Sequence, residues 1–349
     1  QWLRDEMKLI TCSAETEQQI METATGLAAI PQVKVFRAGI WKPRTRPGSF
    51  EGVGSSGLKW LQRVKRETGL LVTVEVANAR HVQEALDHGI DILWIGARTV
   101  VNPFAVQEIG EVIAGSNIPV MIKNPLNPDL KTWMGAIERL NQMGLTRLIA
   151  VHRGFSFFNR SPYRNAPMWE IPIELKRLAP NLPILVDPSH ICGNRELIPA
   201  TIQKALDLEM NGLMIETHAN PSKALTDKNQ QITPAHLSDI LSKLILRRES
   251  GSVEFENKLE VLRSEIDKLD EELIDILARR MNVVEEIGIY KKVNKITILQ
   301  VKRWNQLTRD RIEAGIKMGL SREFILKLLE SVHEEGIQRQ INVMNREEP

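Results

Sequence analysis

The sequence is poor in cysteine, in long apolar runs and in net charge, and each absence excludes a class of protein. Only Cys12 and Cys192 occur in 349 residues, too few for a disulfide framework, and a reducing, cytoplasmic compartment is expected. No apolar run approaches the roughly 18 residues of a membrane-spanning helix. The 46 basic and 44 acidic residues leave a formal charge of +2, which argues against nucleic acid or a membrane surface as a partner.

Proline is nearly absent from the last part of the chain. Sixteen of the 17 prolines and six of the seven tryptophans precede residue 250, and the segment from Val253 onward is rich in Glu, Lys, Leu and Ile. At roughly 150 residues per domain, the length also suggests two domains. We therefore predict a first domain over residues 1–248, a flexible linker over 249–254, and an all-helical domain over 255–349.

The first domain alternates short apolar runs with amphipathic stretches. Eight strand-then-helix units in about 245 residues predict a (β/α)8 TIM barrel. The alternative is a doubly wound open sheet, which usually carries a glycine-rich phosphate loop after its first strand, and no such loop follows Thr11. The predicted strands are Lys8–Cys12, Lys34–Phe36, Leu71–Val76, Ile92–Ile95, Pro119–Ile122, Leu148–Val151, Ile184–Val186 and Leu213–Ile215.

Polar residues gather at the carboxyl ends of these predicted strands, where barrel enzymes carry their active sites. A single cysteine or histidine there is more often structural than functional. Polar residues at all eight ends are harder to explain by packing, because core-facing positions should be apolar. Besides the two sets described next, the ends include Glu75, His152, Asp187 and His218.

One set of these residues has the donor atoms of a transition-metal site. Cys12, His190 and Glu216, with Asp227 in the loop that follows, offer a thiolate, an imidazole and two carboxylates. Such a mixed set suits Mn²⁺, Fe²⁺, Co²⁺ or Zn²⁺ and argues against Mg²⁺, which avoids sulfur.

The second set is cationic, and its members would converge at the same end of the barrel. Converging Arg and Lys side chains indicate an anionic substrate, most simply one with phosphate and carboxylate groups. The set comprises Arg37, Lys42, Arg44, Arg98, Lys123 and Arg153.

In these motifs the first domain resembles the 3-deoxy-D-arabino-heptulosonate 7-phosphate (DAHP) synthases, in particular their short subgroup without a long N-terminal extension. The resemblance rests on Lys42-Pro43-Arg44-Thr45, Gly96-Ala97-Arg98, Asp187-Pro188-Ser189-His190 and Glu216-x-His218, in that order. It implies condensation of phosphoenolpyruvate with erythrose 4-phosphate. The runner-up is the related octulosonate phosphate synthase, which shares phosphoenolpyruvate but lacks the Lys-Pro-Arg-Thr motif.

The resemblance also implies a role for each residue. Cys12, His190, Glu216 and Asp227 would be the metal ligands, and Arg44 with Thr45 would bind the aldose phosphate. The phosphoenolpyruvate site would comprise Arg37, Lys42, Arg98, Lys123 and Arg153, with Lys42 and Lys123 closest to the chemistry.

The helical domain opens with a heptad-like apolar seam on one long helix, predicted over residues 258–292. Leu259, Leu262, Ile266, Leu269, Leu273 and Ile276 follow an alternating three-four spacing, and Arg280 occupies the next seam position. An arginine there costs stability unless it meets an anion, and Lys291 shares its face. Arg263 lies about 26 Å from Arg280 along one helix, so only a second, antiparallel copy could bring an Arg263 beside it. The alternative is a dimerising hairpin with incidental charges.

This pattern resembles the all-helical chorismate mutases, most clearly in Leu-Arg-x-x-Ile-Asp-x-Leu-Asp at residues 262–270. The resemblance implies a homodimer with exchanged long helices that converts chorismate to prephenate. Arg263 of the partner chain, Arg280, Lys291, Arg303 and Gln340 would bind the substrate, and Arg280, Lys291 and Gln340 would act in the reaction. Gln300 and Trp304 stand where that family has acidic groups, and Gly336 stands where it has a serine.

Together, the two resemblances predict a bifunctional enzyme of the shikimate pathway. The alternative is a DAHP synthase whose helical tail only binds chorismate or prephenate as a regulatory or dimerisation module. We also expect feedback: a ligand in the mutase pocket would inhibit the synthase by favouring one domain arrangement over another, a coupling of typically ~1–3 kcal/mol.

Overall fold

A computed structural model describes residues 8–11, 14–43, 48, 50–158, 161–247, 251–299 and 301–346. The chain forms two compact units, Gln1–Arg247 and Arg248–Pro349. Cys12, Arg44, Thr45 and Gln300 lie outside the described residues, and so do residues 249 and 250 of the predicted linker. No helix in the described ranges is both long and apolar enough to cross a membrane.

The first unit is a closed barrel of eight parallel strands in sequence order, with β1 paired to β8, as the alternation of runs predicts. The strands are β1 (Lys8–Thr11), β2 (Val33–Ala38), β3 (Leu71–Val76), β4 (Ile92–Ile95), β5 (Val120–Lys123), β6 (Leu148–His152), β7 (Ile184–Val186) and β8 (Gly212–Ile215). The fifth and sixth strands extend one residue beyond the apolar runs. Lys123 and His152 are therefore the last residues of their strands.

Helices surround the barrel, and capping side chains determine where several of them begin. The Asp129 carboxylate accepts a hydrogen bond from the backbone N–H of Thr132, and Asn102 caps a helix whose first residue is Pro103. The helices are α1 (Glu17–Ala28), α2 (Ser56–Thr68), α3 (Ala79–Asp87), α4 (Pro103–Ile113), α5 (Leu130–Gln142), α6 (Glu170–Leu178), α7 (Pro188–Cys192), α8 (Ile198–Asp207) and α9 (Pro234–Ser242).

Two apolar clusters make up the barrel core. The larger one fills the space between the strands and the helices. The smaller one comprises side chains on the alternate positions of the strands, inside the barrel, and Trp94 is its largest member. This inner cluster forms the floor beneath the carboxyl ends of the strands.

The described part of the second unit forms three helices, α10 (Val253–Val293), α11 (Val301–Lys317) and α12 (Arg322–Met344). The long helix begins inside the predicted linker because the Ser252 hydroxyl accepts a hydrogen bond from the backbone N–H of Phe255 and caps it. Helix α10 packs against α12 through its second half. The seam in its first half stays exposed, with Leu262 48% and Ile276 57% accessible.

Candidate active site

One cleft at the carboxyl ends of the strands collects most of the charged residues predicted from the sequence. Its lining includes Arg37, Lys42, Glu75, Trp94, Arg98, Lys123, Arg153, His190, Glu216 and Asp227. A larger cavity, about 630 Å³, lies between the amino ends of β5–β7 and helices α5 and α6, and none of the predicted residues lines it. The chemistry therefore belongs to the smaller cleft.

Two buried cations share the ring of Trp94 as their support. The guanidinium carbon of Arg37 and Nζ of Lys123 each lie 4.8 Å from the ring centroid. Arg37 is 5% exposed and Lys123 is 3% exposed. A desolvated cation over an indole face gains ~2 kcal/mol or more, which offsets part of the cost of burying it. Arg37 is on β2, Trp94 on β4 and Lys123 on β5; β4 pairs with β5, and only β3 separates it from β2, so the closed barrel brings these residues together.

Each of these cations is paired with a buried carboxylate. Arg37 donates a hydrogen bond to Oε1 of Glu216 at 3.0 Å, and Lys123 donates to Oδ2 of Asp187 at 2.7 Å. Burial opposes ionisation of Glu216, but His190, Arg37 and Lys42 outweigh it and lower its pKa to about 2. Burial likewise opposes ionisation of Asp187, yet contacts with His190 and Lys123 hold its pKa well below the ordinary value. Both carboxylates are therefore anionic at neutral pH.

Glu75 is a third buried carboxyl group of the cleft, and it behaves differently. Burial raises its pKa to about 7, because Lys123 and Arg37 nearby offset the desolvation only in part. A Cβ at position 96 would overlap Oε1 of Glu75, so Gly96 makes the room that this side chain occupies. The strand-end pattern includes Glu75 but assigns it no role. Its neighbours on β2, β4 and β5 are visible only in the fold.

Three of the four predicted metal ligands line the cleft. Nδ1 of His190 lies 2.8 Å from Asp187 Oδ2, and its Nε2 lies 3.8 Å from Glu216 Oε1. Burial lowers the pKa of His190 and so favours the neutral imidazole that a metal requires as a ligand. A carboxylate on one ring nitrogen, with the other directed toward ligand carboxylates, is the usual support of a metal-binding histidine. The donor set therefore fits a divalent transition metal.

The structure does not by itself assemble a finished metal site. Within the described ranges, no group of three or more His, Cys, Asp and Glu side chains is arranged around one point. Asp227, whose φ is 54°, turns its carboxylate to Arg164, with NH1 to Oδ1 at 2.8 Å. Cys12 lies outside the described residues, so its role as a ligand stays a prediction.

The remaining cations of the cleft approach it from neighbouring loops. Lys42 donates a hydrogen bond to the Thr226 hydroxyl at 2.9 Å, and Arg153 donates to Oδ1 of Asn165 at 2.9 Å. Burial lowers the pKa of Arg153 to about 10, and the side chain remains charged at neutral pH. Arg98 also lines the cleft. Arg44 and Thr45, predicted for the aldose phosphate, lie outside the described residues.

The two other strand-end histidines have structural surroundings. His152 is fully buried, with Phe155 and Trp169 as aromatic neighbours, and burial lowers its pKa to about 3. Nδ1 of His218 accepts a hydrogen bond from the backbone N–H of Asn220 at 2.8 Å. His218 Nε2 lies 3.7 Å from the Glu15 carboxylate, whereas His152 packs among aromatic rings, and neither histidine lines the cleft.

The helical unit brings three of its predicted residues to the interface between α10 and α12. A Cβ at Gly336 would lie 3.8 Å from NH1 of Arg280, and a Cβ at Gly288 would lie 3.2 Å from Cγ of Gln340. Lys291, in the last turn of α10, donates a hydrogen bond to the Ile298 carbonyl at 2.6 Å. The two glycines let the helices approach closely beside Arg280.

Two predicted residues of this unit stay apart from that interface. The Arg263 side chain is 61% exposed and lies 3.9 Å from Glu260 on the open half of α10. Arg303 is also exposed, on the first turn of α11. A single chain therefore does not bring Arg263 to Arg280, as the helix length predicts.

A histidine that the sequence pattern does not single out joins the helical site. The ring of His333 stacks on Trp304 with centroids 3.8 Å apart and planes 16° apart. Among the described residues of this unit, three side-chain atoms are buried without a hydrogen-bond partner: Oγ1 of Thr308, Nε2 of His333 and Oε1 of Gln340. His333 precedes Gly336 and Gln340 by three and seven residues, and this spacing is the signal that could have pointed to it.

Comparisons with known proteins cover both units. Residues 7–249 match the model of the DAHP synthetase I family, and residues 262–341 match the model of chorismate mutase type II. A phospho-2-dehydro-3-deoxyheptonate aldolase of Thermotoga maritima is 33% identical over 221 residues, which are 63% of this chain and 63% of that protein. A 2-dehydro-3-deoxyphosphooctonate aldolase of Paraburkholderia xenovorans is 29% identical over 260 residues, 67% of this chain and 87% of that protein.

Solved structures give the same likeness for the barrel. The crystal structure of the Thermotoga maritima DAHP synthase superposes with a TM-score of 0.61 at 30% identity, and the match covers 68% of each chain. A truncated form of the 3-deoxy-D-arabino-heptulosonate 7-phosphate synthase from the same organism gives 0.58 at 27% identity, covering 68% of this chain and 84% of that one.

Proposed function

The chain belongs to the DAHP synthetase I family, and a chorismate mutase type II domain follows its barrel in the sequence. We propose that it is a bifunctional enzyme. The barrel condenses phosphoenolpyruvate with erythrose 4-phosphate to give DAHP and phosphate. The helical domain rearranges chorismate to prephenate. The observation that carries the first activity is the pair of buried cations over Trp94, beside carboxylates that suit a metal.

The cationic side of the cleft is suited to phosphoenolpyruvate, which carries a phosphate and a carboxylate. Arg37, Lys123 and Arg153 are buried and charged, so their hydrogen bonds to an anion form in a medium of low dielectric. Lys42 and Arg98 add positive charge at the rim. These groups hold the enol carbon in place and offset the repulsion between the two phosphorylated substrates.

His190, Glu216, Asp227 and Cys12 would hold a divalent Mn, Fe, Co or Zn ion. When bound, such an ion supplies Lewis acidity that makes the aldehyde carbon of the aldose phosphate a better electrophile. The side chains of the protein orient the ligands and exchange protons. Asp187 keeps the ring of His190 oriented, and Arg37 holds the carboxylate of Glu216. Glu75, half-ionised near pH 7, is the carboxyl group of the cleft able to exchange a proton with water at neutral pH.

A substrate comparison tests the synthase activity. Purified protein with Mn²⁺ is given phosphoenolpyruvate and either erythrose 4-phosphate or arabinose 5-phosphate, and phosphate release is followed. We expect turnover with the four-carbon aldose and little with the five-carbon one, because the chain has the Lys42-Pro43-Arg44-Thr45 motif. Faster turnover with arabinose 5-phosphate would favour the octulosonate phosphate synthase alternative, in keeping with the names of several relatives.

The metal assignment is tested by binding as well as by activity. We expect Cys12→Ala to weaken Mn²⁺ binding, read from the free Mn²⁺ signal in electron paramagnetic resonance, and to abolish synthase turnover while mutase turnover persists. Cys192→Ala is the matched control, because the Cys192 thiol is buried beside Thr201, 3.1 Å away. Equal Mn²⁺ affinity in Cys12→Ala and the wild type would contradict the assignment.

The mutase proposal rests on Arg280, Lys291 and Gln340 at one interhelical site. The rearrangement of chorismate is pericyclic and needs no acid, base or nucleophile, so positioning and charge stabilisation are enough. Arginines would clamp the two carboxylates of chorismate into the reactive shape, and Lys291 with Gln340 would stabilise charge that grows on the ether oxygen.

The proposed mutase site requires a homodimer. The apolar seam from Leu262 to Ile276 is exposed on one chain, and an antiparallel copy would cover it and bring the partner's Arg263 to the pocket. We expect light scattering of the full-length protein to give at least twice the mass of one 39.6 kDa chain. A monomer that retains full mutase activity would contradict the exchanged-helix arrangement.

The alternative is a helical domain that binds chorismate or prephenate without converting it. Feedback inhibition of the synthase is compatible with a catalytic and with a non-catalytic helical domain. We propose that prephenate bound at Arg280 lowers the synthase rate. The test measures synthase rate against prephenate concentration for the wild type and for Arg280→Ala, together with chorismate consumption. Binding and inhibition without chorismate turnover would support a regulatory module. Inhibition that persists unchanged in Arg280→Ala would reject feedback through this pocket.

A further inference from the structure

Residues 164–166, in the loop that follows β6, are hydrogen-bonded through their backbone to α7 and to Phe155. Phe155 and Ala166 exchange backbone hydrogen bonds of 2.8 and 2.9 Å. Next to them, the backbone N–H groups of Arg164 and Asn165 donate to the carbonyls of Cys192 and Ile191 at 3.2 and 3.1 Å. Two consecutive side chains of one loop are thereby held beside the carboxyl ends of β6, β7 and β8.

The Asn165 side chain joins a cation of the cleft to the backbone of the histidine loop. Its Oδ1 accepts a hydrogen bond from NH1 of Arg153 at 2.9 Å, and its Nδ2 donates to the carbonyl of His190 at 2.6 Å. Asn165 is 6% exposed and Arg153 is 7% exposed, so water does not readily replace either bond. One amide therefore fixes both the guanidinium of Arg153 and the position of His190.

The Arg164 side chain reaches the carboxylates on the other side. Its NH1 donates to Oδ1 of Asp227 and to Oε1 of Gln230, each at 2.8 Å. Gln230 in turn donates to Oε2 of Glu216 at 2.7 Å. Arg164 is thus linked directly to one predicted metal ligand and, through Gln230, to another.

We propose that Arg164 and Asn165 are positioning residues, in which Arg164 orients the carboxylates of Asp227 and Glu216 toward a divalent metal and Asn165 orients Arg153 toward the anionic substrate. The inference rests on the proposed synthase function. Neither side chain lines the cleft itself, and each acts through groups that do. The two roles differ in their side-chain partners: Arg164 is bonded to Asp227 and Gln230, whereas Asn165 is bonded to the Arg153 guanidinium and, at the backbone, to the His190 carbonyl.

The test uses the full-length protein with Arg164→Met and Asn165→Leu, substitutions that keep side-chain size and remove the hydrogen bonds. We expect Arg164→Met to raise the Kd for Mn²⁺ by about tenfold or more, as is usual when a group that supports metal ligands is lost, with the KM for phosphoenolpyruvate little changed. We expect Asn165→Leu to raise the KM for phosphoenolpyruvate by about tenfold, more than the KM for the aldose phosphate. Arg164→Lys should recover part of the Mn²⁺ affinity.

Arg177→Met is the matched control, because Arg177 pairs with Glu174 at 2.7 Å on the surface, away from the cleft. It should leave the Kd for Mn²⁺ and both KM values unchanged. If Arg164→Met and Asn165→Leu lower only the melting temperature, the residues are structural and the inference is wrong. If the wild type neither binds Mn²⁺ nor consumes phosphoenolpyruvate, the proposed function fails instead.

A second inference concerns the helical unit and rests on different contacts. His333, Gly336 and Gln340 lie three and seven residues apart, on the face of α12 that meets Arg280 and Gly288 of α10. Trp304 of α11 stacks on the His333 ring, and Nε2 of His333 and Oε1 of Gln340 are both buried without a partner. Buried polar atoms are nearly always hydrogen-bonded, so these two atoms need a partner that the chain itself does not supply.

We infer that His333, held by Trp304, is a ligand-contacting hydrogen-bond donor of the mutase pocket and binds the dicarboxylate ligand together with Arg280 and Lys291. Burial, with Arg280 and Lys291 adding to it, lowers the pKa of His333 and keeps the imidazole neutral. A neutral imidazole still donates one N–H, and it does so without adding a third positive charge beside Arg280 and Lys291. This inference rests on the proposed mutase function.

The test compares His333→Phe, which keeps the stacked ring and removes both nitrogens, with His333→Gln, which places an amide nitrogen near the position of Nε2. We expect the Kd of prephenate, measured by calorimetry on the full-length protein, to rise about tenfold in His333→Phe. His333→Gln should recover part of that loss. A His333→Phe variant that binds prephenate as the wild type does would overturn the inference, whereas a wild type that binds neither prephenate nor chorismate would overturn the proposed mutase function.

Discussion

The two units of this chain treat charge and apolar surface in opposite ways. In the barrel, charged groups lie deep inside, with Lys123 3% exposed and Asp187 fully buried. In the helical unit, apolar residues stay outside, with Leu269 56% and Ile276 57% exposed. Buried charges are tolerated only when paired, and exposed seams only until a partner covers them. The described residues of one chain line the barrel cleft, whereas the exposed seam is the reason why we propose that a second copy completes the helical site.

The largest effect is expected at Arg280, the half-buried cation at the end of the helical seam. Arg280→Ala should lower the kcat/KM for chorismate by two or more orders of magnitude, because a desolvated hydrogen bond to a carboxylate is lost. The domain should remain folded, since the substitution also removes a charge from an apolar interface. Circular dichroism checks folding. A folded variant that rearranges chorismate at the wild-type rate would mean that Arg280 is not part of the clamp.

The stability of the barrel should fall when one member of a buried ion pair is removed. Lys123→Met leaves Asp187 without its lysine and should lower the free energy of unfolding by about 3–5 kcal/mol, measured by urea denaturation. It should also raise the KM for phosphoenolpyruvate in protein that remains folded. Lys65→Met is the control, because Lys65 pairs with Asp91 at 2.6 Å but is 43% exposed. That surface pair should contribute at most about 1 kcal/mol.

Charge in the exposed seam should separate the helical units without harming the barrel. Ile266→Glu with Leu273→Glu places two carboxylates where a second copy would pack, and the mass from light scattering should fall toward that of one chain. Mutase turnover should fall with it, because the pocket loses the partner's Arg263. Synthase turnover per chain, measured without prephenate, should persist. Unchanged mass would indicate that another surface joins the chains.

The smallest effect is a pH dependence from Glu75. Its pKa is raised from 4.5 to about 7 in the folded protein, so the folded state binds more protons than the unfolded chain between those values. The free energy of unfolding should therefore fall as the pH rises from about 4.5 to 7, by about 1–3 kcal/mol from this group. Glu75→Gln should remove that part of the slope in urea denaturation at pH 5 and pH 8. Equal slopes in both proteins would show that Glu75 titrates normally.

Much of the fold is predictable because it depends on local patterns of apolar and polar residues. Eight apolar runs separated by amphipathic stretches predict the barrel, and the run from Leu259 to Ile276 predicts the long helix. The strand ends also predict which residues meet, because parallel strands in a barrel end on one face. For that reason Arg37, Lys123, His190 and Glu216 were found together.

The finer contacts were not predictable, because their partners are remote in the chain. Arg37 and Glu216 are 179 residues apart, and Lys123 and Asp187 are 64 apart. Arg164 and Asn165 lie in a loop with no periodicity, and only the backbone hydrogen bonds to α7 reveal where their side chains point. The spacing of His333 from Gly336 and Gln340 is a weak signal in the sequence, and its stacking on Trp304 is visible only in the fold.

The sequence by itself determined the two-part architecture, the family of each part and the residue types at the strand ends of the barrel. These features follow from periodicity and residue type, which are local properties. Tertiary structure alone decided which carboxylate pairs with which cation, and that Glu75 titrates near neutrality while Glu216 stays ionised. Both are buried carboxyl groups at strand ends, yet Glu216 accepts a hydrogen bond from Arg37 and Glu75 sits in the space left by Gly96. A pKa depends on burial and on the distance to charge, and both are set only when the strands close into a barrel.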